Sequence, residues 1–410
     1  MCFIRLPCYG RRVRRNVVRH LKSKMKKILN LFGIVLVINL TGCSLIKAIF
    51  NGNTEEDSNR IEFLVLAGDE YYETGNYVGA ISEYDKALKI NQGNPDIYYK
   101  RGLAKKFLGN KAEAIIDFTK SLKLDELFVN AYKERGKINL ELANYKNTIS
   151  DCNKIIEIEP NYLYAYILRA DAKLNLGLPS DAIKDCNIAI SIDSSYAMAY
   201  FLRGDANFDL EGYQNAIYDY TKAINFGSSF AQIFYNRGLS YYHLSKFDEA
   251  INDYSKAIEL DVNFWEAYCN RGAAKSDLGD QNGAIKDYDI AITIKPNDAL
   301  TFYNRGKSKI INGDIDGSIT DYSTAIELNP KYANAYINRG NAKYKLQDYE
   351  GAIFDFDKAI SIDSTNALTF YNRGATKLDQ GDIESACKDW VIALKLGYSK
   401  AENKIQEHCN

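Results

Sequence analysis

Small and apolar residues recur along residues 61–400 with a period of 34. Counting each unit from Ile61, position 8 is small in all ten copies: Gly68, Gly102, Gly136, Ala170, Gly204, Gly238, Gly272, Gly306, Gly340 and Gly374. The register runs without insertion. Position 4 is aromatic from Tyr98 in the second unit to Phe370 in the tenth. A second apolar group falls at positions 20, 21, 24, 27 and 28, as in Ala250, Ile251, Tyr254, Ala257 and Ile258. Offsets of three, four and seven mark one face of a helix. The two helical stretches meet at position 15, glycine in six units (Gly75, Gly109, Gly177, Gly279, Gly313, Gly381). A left-handed residue there ends the first helix. Asn or Asp often follows, as at Asn76, Asn110, Asp280, Asp314 and Asp382, and suits the cap of the second helix. Each unit is expected to be helix, turn, helix.

Small residues at 8, 20 and 27 let helix axes approach closely, with the aromatics at 4 and 24 filling the space between layers. Residues 401–410 are expected to continue as a final helix covering the last apolar face, since a stack of repeats needs a polar end. The 34-residue pattern resembles the tetratricopeptide repeat (TPR): an aromatic, then Gly or Ala, then Ala, an aromatic, Ala and often Pro. Two features depart from it. The closing proline is kept only at Pro160, Pro296 and Pro330, and position 11, commonly Tyr, is Lys in six units. The resemblance implies an all-α fold, a right-handed α-solenoid of ten helix-turn-helix TPR units with a C-terminal capping helix. Its first helices would line a concave groove that binds proteins or peptides.

The start of the chain follows other rules. From Met25 it reads MKKILNLFGIVLVINLTGCSL: two lysines, an apolar run from Ile28 to Leu40, then Leu40-Thr41-Gly42-Cys43. That is the layout of a secretory signal, and the last four residues resemble the lipobox of bacterial lipoproteins. The resemblance implies cleavage before Cys43 and lipidation of its thiol, with several acyl chains giving durable anchoring. The competing reading, an uncleaved membrane helix, needs roughly 20 apolar residues, more than this run supplies. The expected organisation is residues 1–24 as an extended leader or the product of a start codon placed too early, 25–42 as the signal, and 43–60 as lipidated cysteine and flexible tether. Repeats then occupy 61–400 and the cap 401–410. The protein would be exported and held at the outer membrane, or at the inner membrane facing the periplasm. The rival is a cytosolic TPR adaptor with an unprocessed leader.

Charge narrows the partners. Residues 1–42 carry ten Lys and Arg and no acid, leaving 42 basic against 53 acidic residues in the remainder, a net of −11. A body this acidic lacks the cationic excess that binds phosphate backbones, so nucleic acid is not expected. The repeats leave no room for a separate catalytic domain, and neither catalysis nor a cofactor is expected.

Arginine fills position 7 in nine units, including Arg237, Arg271 and Arg305, and position 23 is Asp in the same nine, including Asp253, Asp287 and Asp321. Beside the close-packed position 8 an unpaired charge would be costly. The expectation is a structural ion pair, within a unit or to its neighbour; the alternative is a row of arginines gripping an anionic ligand.

The resemblance places positions 2, 5, 6, 9, 12 and 13 in the groove. The second and third units then present Lys100, Lys106, Lys133 and Lys137, and the fourth to sixth an apolar zone that includes Phe201, Tyr235 and Tyr242. The sixth to tenth carry an asparagine ladder: Asn236, Asn270, Asn304, Asn338 and Asn372. Asparagine donates and accepts, so a regular row suits the backbone of an extended peptide. The alternative is that these side chains only bond neighbouring helices. His243 and His408 do not sit in metal-ligand spacing. Cys152 and Cys186 occupy packing position 24, and Cys387 and Cys409 are candidates for a disulfide in an exported protein.

Overall fold

The computed structural model describes residues 55–409, so Cys43 and the signal lie outside the described residues. Among those residues there are 21 helices and no strand. The described residues divide into two compact units, one ending at Ile97 and the other beginning at Tyr98.

In the first unit α1 (Glu55–Glu73) packs on α2 (Tyr77–Ile90). The helix α1 starts six residues before Ile61, so residues 55–60, expected as tether, are helical. Glu55, Glu56 and Asp57 form its first turn, where carboxylates are favoured by the partial positive charge of a helix N-terminus. Charge at the helix start, rather than apolar burial, favours helix in this polar segment.

The helix α3 (Pro95–Phe107) crosses the boundary and is followed by α4 (Lys111–Leu124), α5 (Val129–Glu141), α6 (Tyr145–Ile158), α7 (Leu163–Asn175) and α8 (Pro179–Ile192). Next come α9 (Ala197–Asp209), α10 (Tyr213–Asn225), α11 (Ala231–His243), α12 (Phe247–Leu260), α13 (Trp265–Asp277) and α14 (Gln281–Ile294). The last are α15 (Ala299–Ile311), α16 (Ile315–Leu328), α17 (Ala333–Lys345), α18 (Tyr349–Ile362), α19 (Ala367–Asp379), α20 (Ile383–Lys395) and α21 (Lys400–His408). Consecutive helices pack in pairs, giving ten helix-turn-helix units and a terminal helix. Within the second unit each first helix also touches the first helix of the next repeat, whereas second helices have no comparable contact. Stacked elements lie closest on the inside of a bend, so the odd-numbered helices α5 to α19 form the inner face.

The turn is uniform even where its residue is not. All ten position-15 residues have left-handed φ, the six glycines from 71° to 96° and Ala143, Glu211, Ser245 and Gln347 from 57° to 62°. Of the five expected caps, Asn76, Asp280, Asp314 and Asp382 accept from the backbone N–H three residues on, as does Asp348, while Asn110 makes no such bond.

Close packing centres on positions 8 and 24. A Cβ built on Gly306 would lie 2.8 Å from Tyr322, on Gly204 2.6 Å from Tyr220, and on Gly340 2.9 Å from Phe356. Where position 24 is cysteine the constraint relaxes: Ala170 stands opposite Cys186, and a Cβ on Gly136 would meet nothing nearer than Leu168 at 3.2 Å. The terminal α21 seals the last layer, with Ala401, Ile405 and Cys409 against Phe370 and Trp390.

Candidate functional site

Because position 7 flanks the tight glycine, its side chain runs along the seam between helices. Arg237, Arg271 and Arg305 each place Nε and Nη2 on the two oxygens of Asp253, Asp287 and Asp321, at 2.6 to 2.9 Å. All nine arginines do this within their own unit. From the third unit on, Nη1 reaches position 25 of the preceding unit: Thr119, Asn153, Asn187, Thr221, Ser255, Asp289, Ser323 or Asp357. The guanidinium also lies over the position-4 aromatic, as Arg305 does over Phe302 at 5.4 Å. From Arg135 on, each arginine is a bidentate staple joining two repeats, and in all nine the fork lies on an aspartate rather than open to an anionic ligand.

The lysines at position 11, a departure from the repeat pattern, belong to the same device. Lys105, Lys173, Lys275, Lys309, Lys343 and Lys377 each bring a second cation to the buried position-23 carboxylate at 2.8 to 3.0 Å. Asp151 and Asp253 lack that lysine, and burial holds their carboxyls above the usual range despite Arg135 and Arg237. In the sequence these six lysines each stand twelve residues before the aspartate they meet, and that spacing is the signal of the pairing.

The asparagine ladder is bonded between repeats. Asn270 and Asn338 donate to the hydroxyls of Tyr235 and Tyr303 one repeat back, at 2.8 and 3.0 Å. Asn236 and Asn372 donate to Asp205 and Asn341, at 2.9 and 3.1 Å. Among the described residues Asn304 alone of the five makes no such donation and sits half-buried on α15. First helices lie close enough for an amide at position 6 to reach position 5 or 9 of its neighbour, so four of these side chains lace repeats together, and Asn338 and Asn372 also line an inner-face cleft.

The lysine zone is also more occupied than its sequence suggests. Lys106, Lys133 and Lys137 converge on Glu134 at 2.6, 3.8 and 3.3 Å. Burial would raise the Glu134 carboxyl, but Lys106 and Lys137 outweigh it and hold it below its ordinary value. Lys137 also lies 4.9 Å from the centroid of Tyr164. Lys100, half-buried on α3, has contacts of its own.

The aromatic zone divides. Tyr235 packs on Tyr254 and Phe264 and takes the bond from Asn270, so it is mostly wall. The Tyr242 hydroxyl donates to Asp277 on the next first helix. Phe201 remains half-open against Tyr220 and Phe230 and floors a cleft of about 630 Å³ with Leu174, Met198, Leu202 and Phe230, edged by Asp171, Asp205 and Asp209. A second cleft of about 560 Å³ lies on α15, α17 and α19, between Ile310, Ile311, Asn341, Tyr344 and Thr376, with Lys307 and Lys345 beside it. Both lie on the inner face.

The remaining candidates are structural. His243 stacks on Tyr213 at 4.5 Å, and among the described residues no group of His, Cys, Asp and Glu could hold a metal ion. Cys152 and Cys186 are fully buried. Cys387 and Cys409 are joined, with Cα atoms 5.6 Å apart, tying α20 to the end of α21. No described helix is long and apolar enough to cross a membrane.

Profiles described as TPR repeat match residues 68–109, 204–245 and 308–347, and those described as tetratricopeptide repeat match 95–126, 231–264, 266–298 and 333–366. No curated protein matches the chain. Among solved structures it is similar to YrrB, a TPR protein with an unusual peptide-binding site, at 24% identity over 45% of this chain and 95% of that one, TM-score 0.42. It is similar also to a tetratricopeptide repeat protein from Parabacteroides merdae, at 20% identity over 60% and 99%, TM-score 0.46, and to yeast Tom70, at 14% over 86% and 96%, TM-score 0.40. With its 34-residue units, left-handed turns and matched profiles, this chain belongs to the tetratricopeptide-repeat family.

Proposed function

We propose that the protein is a membrane-anchored TPR scaffold that binds a protein or peptide along its inner face, without catalysis of its own, and serves in bacterial envelope assembly. One observation carries the binding reading: two open clefts, each built mainly from first helices of successive repeats, keep apolar floors uncovered on the inner face. Apolar floors with few polar groups at the rim suit side chains of an extended segment. The anchoring rests on the Leu40-Thr41-Gly42-Cys43 motif. The acidic body argues against nucleic acid as the partner.

Photoreactive residues placed at Phe201 and Ile311 in intact cells test the binding. Adducts with one protein from both positions are expected, while a photoreactive residue at exposed Leu260 on α12 should capture none. Equal capture at all three sites would sink the reading. Labelled fatty acid should enter the wild type but not Cys43→Ala; label in neither would favour the cytosolic adaptor.

A further inference from the structure

In this chain a buried carboxylate normally has a cation beside it. Nine position-23 aspartates each receive an arginine fork, and Glu134 receives three lysines. The cleft over Phe201 differs: its lining holds half-buried Asp171 and Asp205 and exposed Asp209, and no lysine, arginine or histidine. The Asp205 bonds, from Tyr220 at 2.7 Å and Asn236 at 2.9 Å, both fall on Oδ1, so Oδ2 is left over. Asp171 takes only the amide of Asn175, at 2.9 Å. Asp209 is exposed at the end of α9. Between these carboxylates the floor is apolar, with Met198 and Phe230 accessible at 38% and 37%.

Resting on the peptide-binding reading, we infer that this cleft takes a lysine or arginine of the partner, its aliphatic stem along Phe201 and Met198 and its charged head among Asp171, Asp205 and Asp209. The fit is one of charge and shape together. Long basic side chains bury their stems on apolar surface and keep the head at a polar rim, and a cation near an aromatic face gains further attraction. Burial raises the carboxyls of Asp205, Asp171 and Asp209 above their ordinary values, and a cation placed among them favours their charged form, which no lysine, arginine or histidine of the lining does. The lysines about Glu134, on the inner face nearer the N-terminus, repel the same residue. A segment with its basic residue over the fourth and fifth repeats is thereby set in register.

The test uses the full chain and three fluorescent seven-residue peptides, Gly-Ser-Leu-X-Leu-Ser-Gly, with X lysine, norleucine or glutamate. Lysine should bind roughly tenfold tighter than norleucine, with glutamate weakest. Asp171→Asn with Asp209→Asn should bring lysine and norleucine within about threefold of each other. Asp248→Asn with Glu249→Gln, on the exposed start of α12, should leave the preference intact, separating the cleft from the overall acidity. Circular dichroism of each variant checks that the helices persist. Norleucine binding as tightly as lysine, or a preference that survives in the Asp171 and Asp209 variant, would overturn the inference while leaving peptide binding standing. If none of the three binds, a random peptide library is applied: retained peptides without basic enrichment overturn the inference alone, and a library with no retained member overturns the peptide-binding reading with it.

Discussion

Replacing Gly306 by alanine should destabilise the eighth repeat, while the same change at Gly136 should not destabilise the third. The new Cβ at 306 would sit 2.8 Å from Tyr322 Cε1 and 3.0 Å from Cδ1, about 0.7 Å or more inside a normal carbon contact. The ring cannot withdraw: Tyr322 is 1% exposed and Tyr303 packs 5.8 Å away. Overpacking of this kind costs about 1–3 kcal/mol, against which alanine in a helix regains about 1 kcal/mol over glycine. The expected net loss is about 1 kcal/mol, reaching about 2 if the ring is forced from its rotamer. At Gly136 the nearest atom is a Leu168 methyl at 3.2 Å, which can rotate aside, so the helix gain of up to about 1 kcal/mol survives. Stacked repeats need not unfold in one step, so amide exchange resolved to α15–α16 and to α5–α6 is the appropriate assay, with urea unfolding of the full chain beside it. A double-mutant cycle sharpens it: in a Tyr322→Cys background, which reproduces the natural Ala170 and Cys186 pair, the Gly306→Ala penalty should vanish. Equal effects at both glycines, within about 0.5 kcal/mol, or a penalty that persists once the Tyr322 ring has been removed, would refute the packing argument.

Three further outcomes are expected. Gln347→Gly should stabilise the chain by about 1 kcal/mol, because a side chain held at φ 62° is strained, and Gly313→Ala should cost a similar amount; thermal melts decide both. Arg305→Lys should lose the bidentate grip on Asp321 and the bond to Asp289, lowering stability by about 2–3 kcal/mol; an unchanged melt with lost peptide binding would reassign Arg305 to the ligand. Asp205→Asn should stabilise the protein near pH 7.5 and change little near pH 4. Burial pushes the Asp205 carboxyl up to about 6, so the contribution of its neutral form is complete below the unfolded value of about 3.9 and lost as pH rises through the folded one. A stability gain greater at pH 4 than at pH 7.5 would contradict that sign.

Periodicity alone was enough to place the helices, the turns and the close-packed layers, because each of those depends on residues a fixed number of positions apart on one element. Position 15 shows how far this reaches: even Ala143, Glu211, Ser245 and Gln347 adopt the left-handed turn, since the repeat register dictates it whatever the side chain. The matched numbers of arginine and aspartate were equally visible. What only the tertiary structure decided were matters of distance between repeats. Whether Asn270 faces a ligand or the Tyr235 hydroxyl depends on how near one first helix lies to the next, which no count of residues contains. The lysines at position 11 looked like divergence until they were found on the carboxylates of their own units. Glu134 turned an open lysine zone into a paired one, and Asp171, Asp205 and Asp209 gathered at one cleft because α7 and α9 stack side by side. Local spacing is set by the chain's own geometry; the pairing of charges and amides across a seam is set by the packing angle and separation of helices, and these exist only once the repeats are stacked.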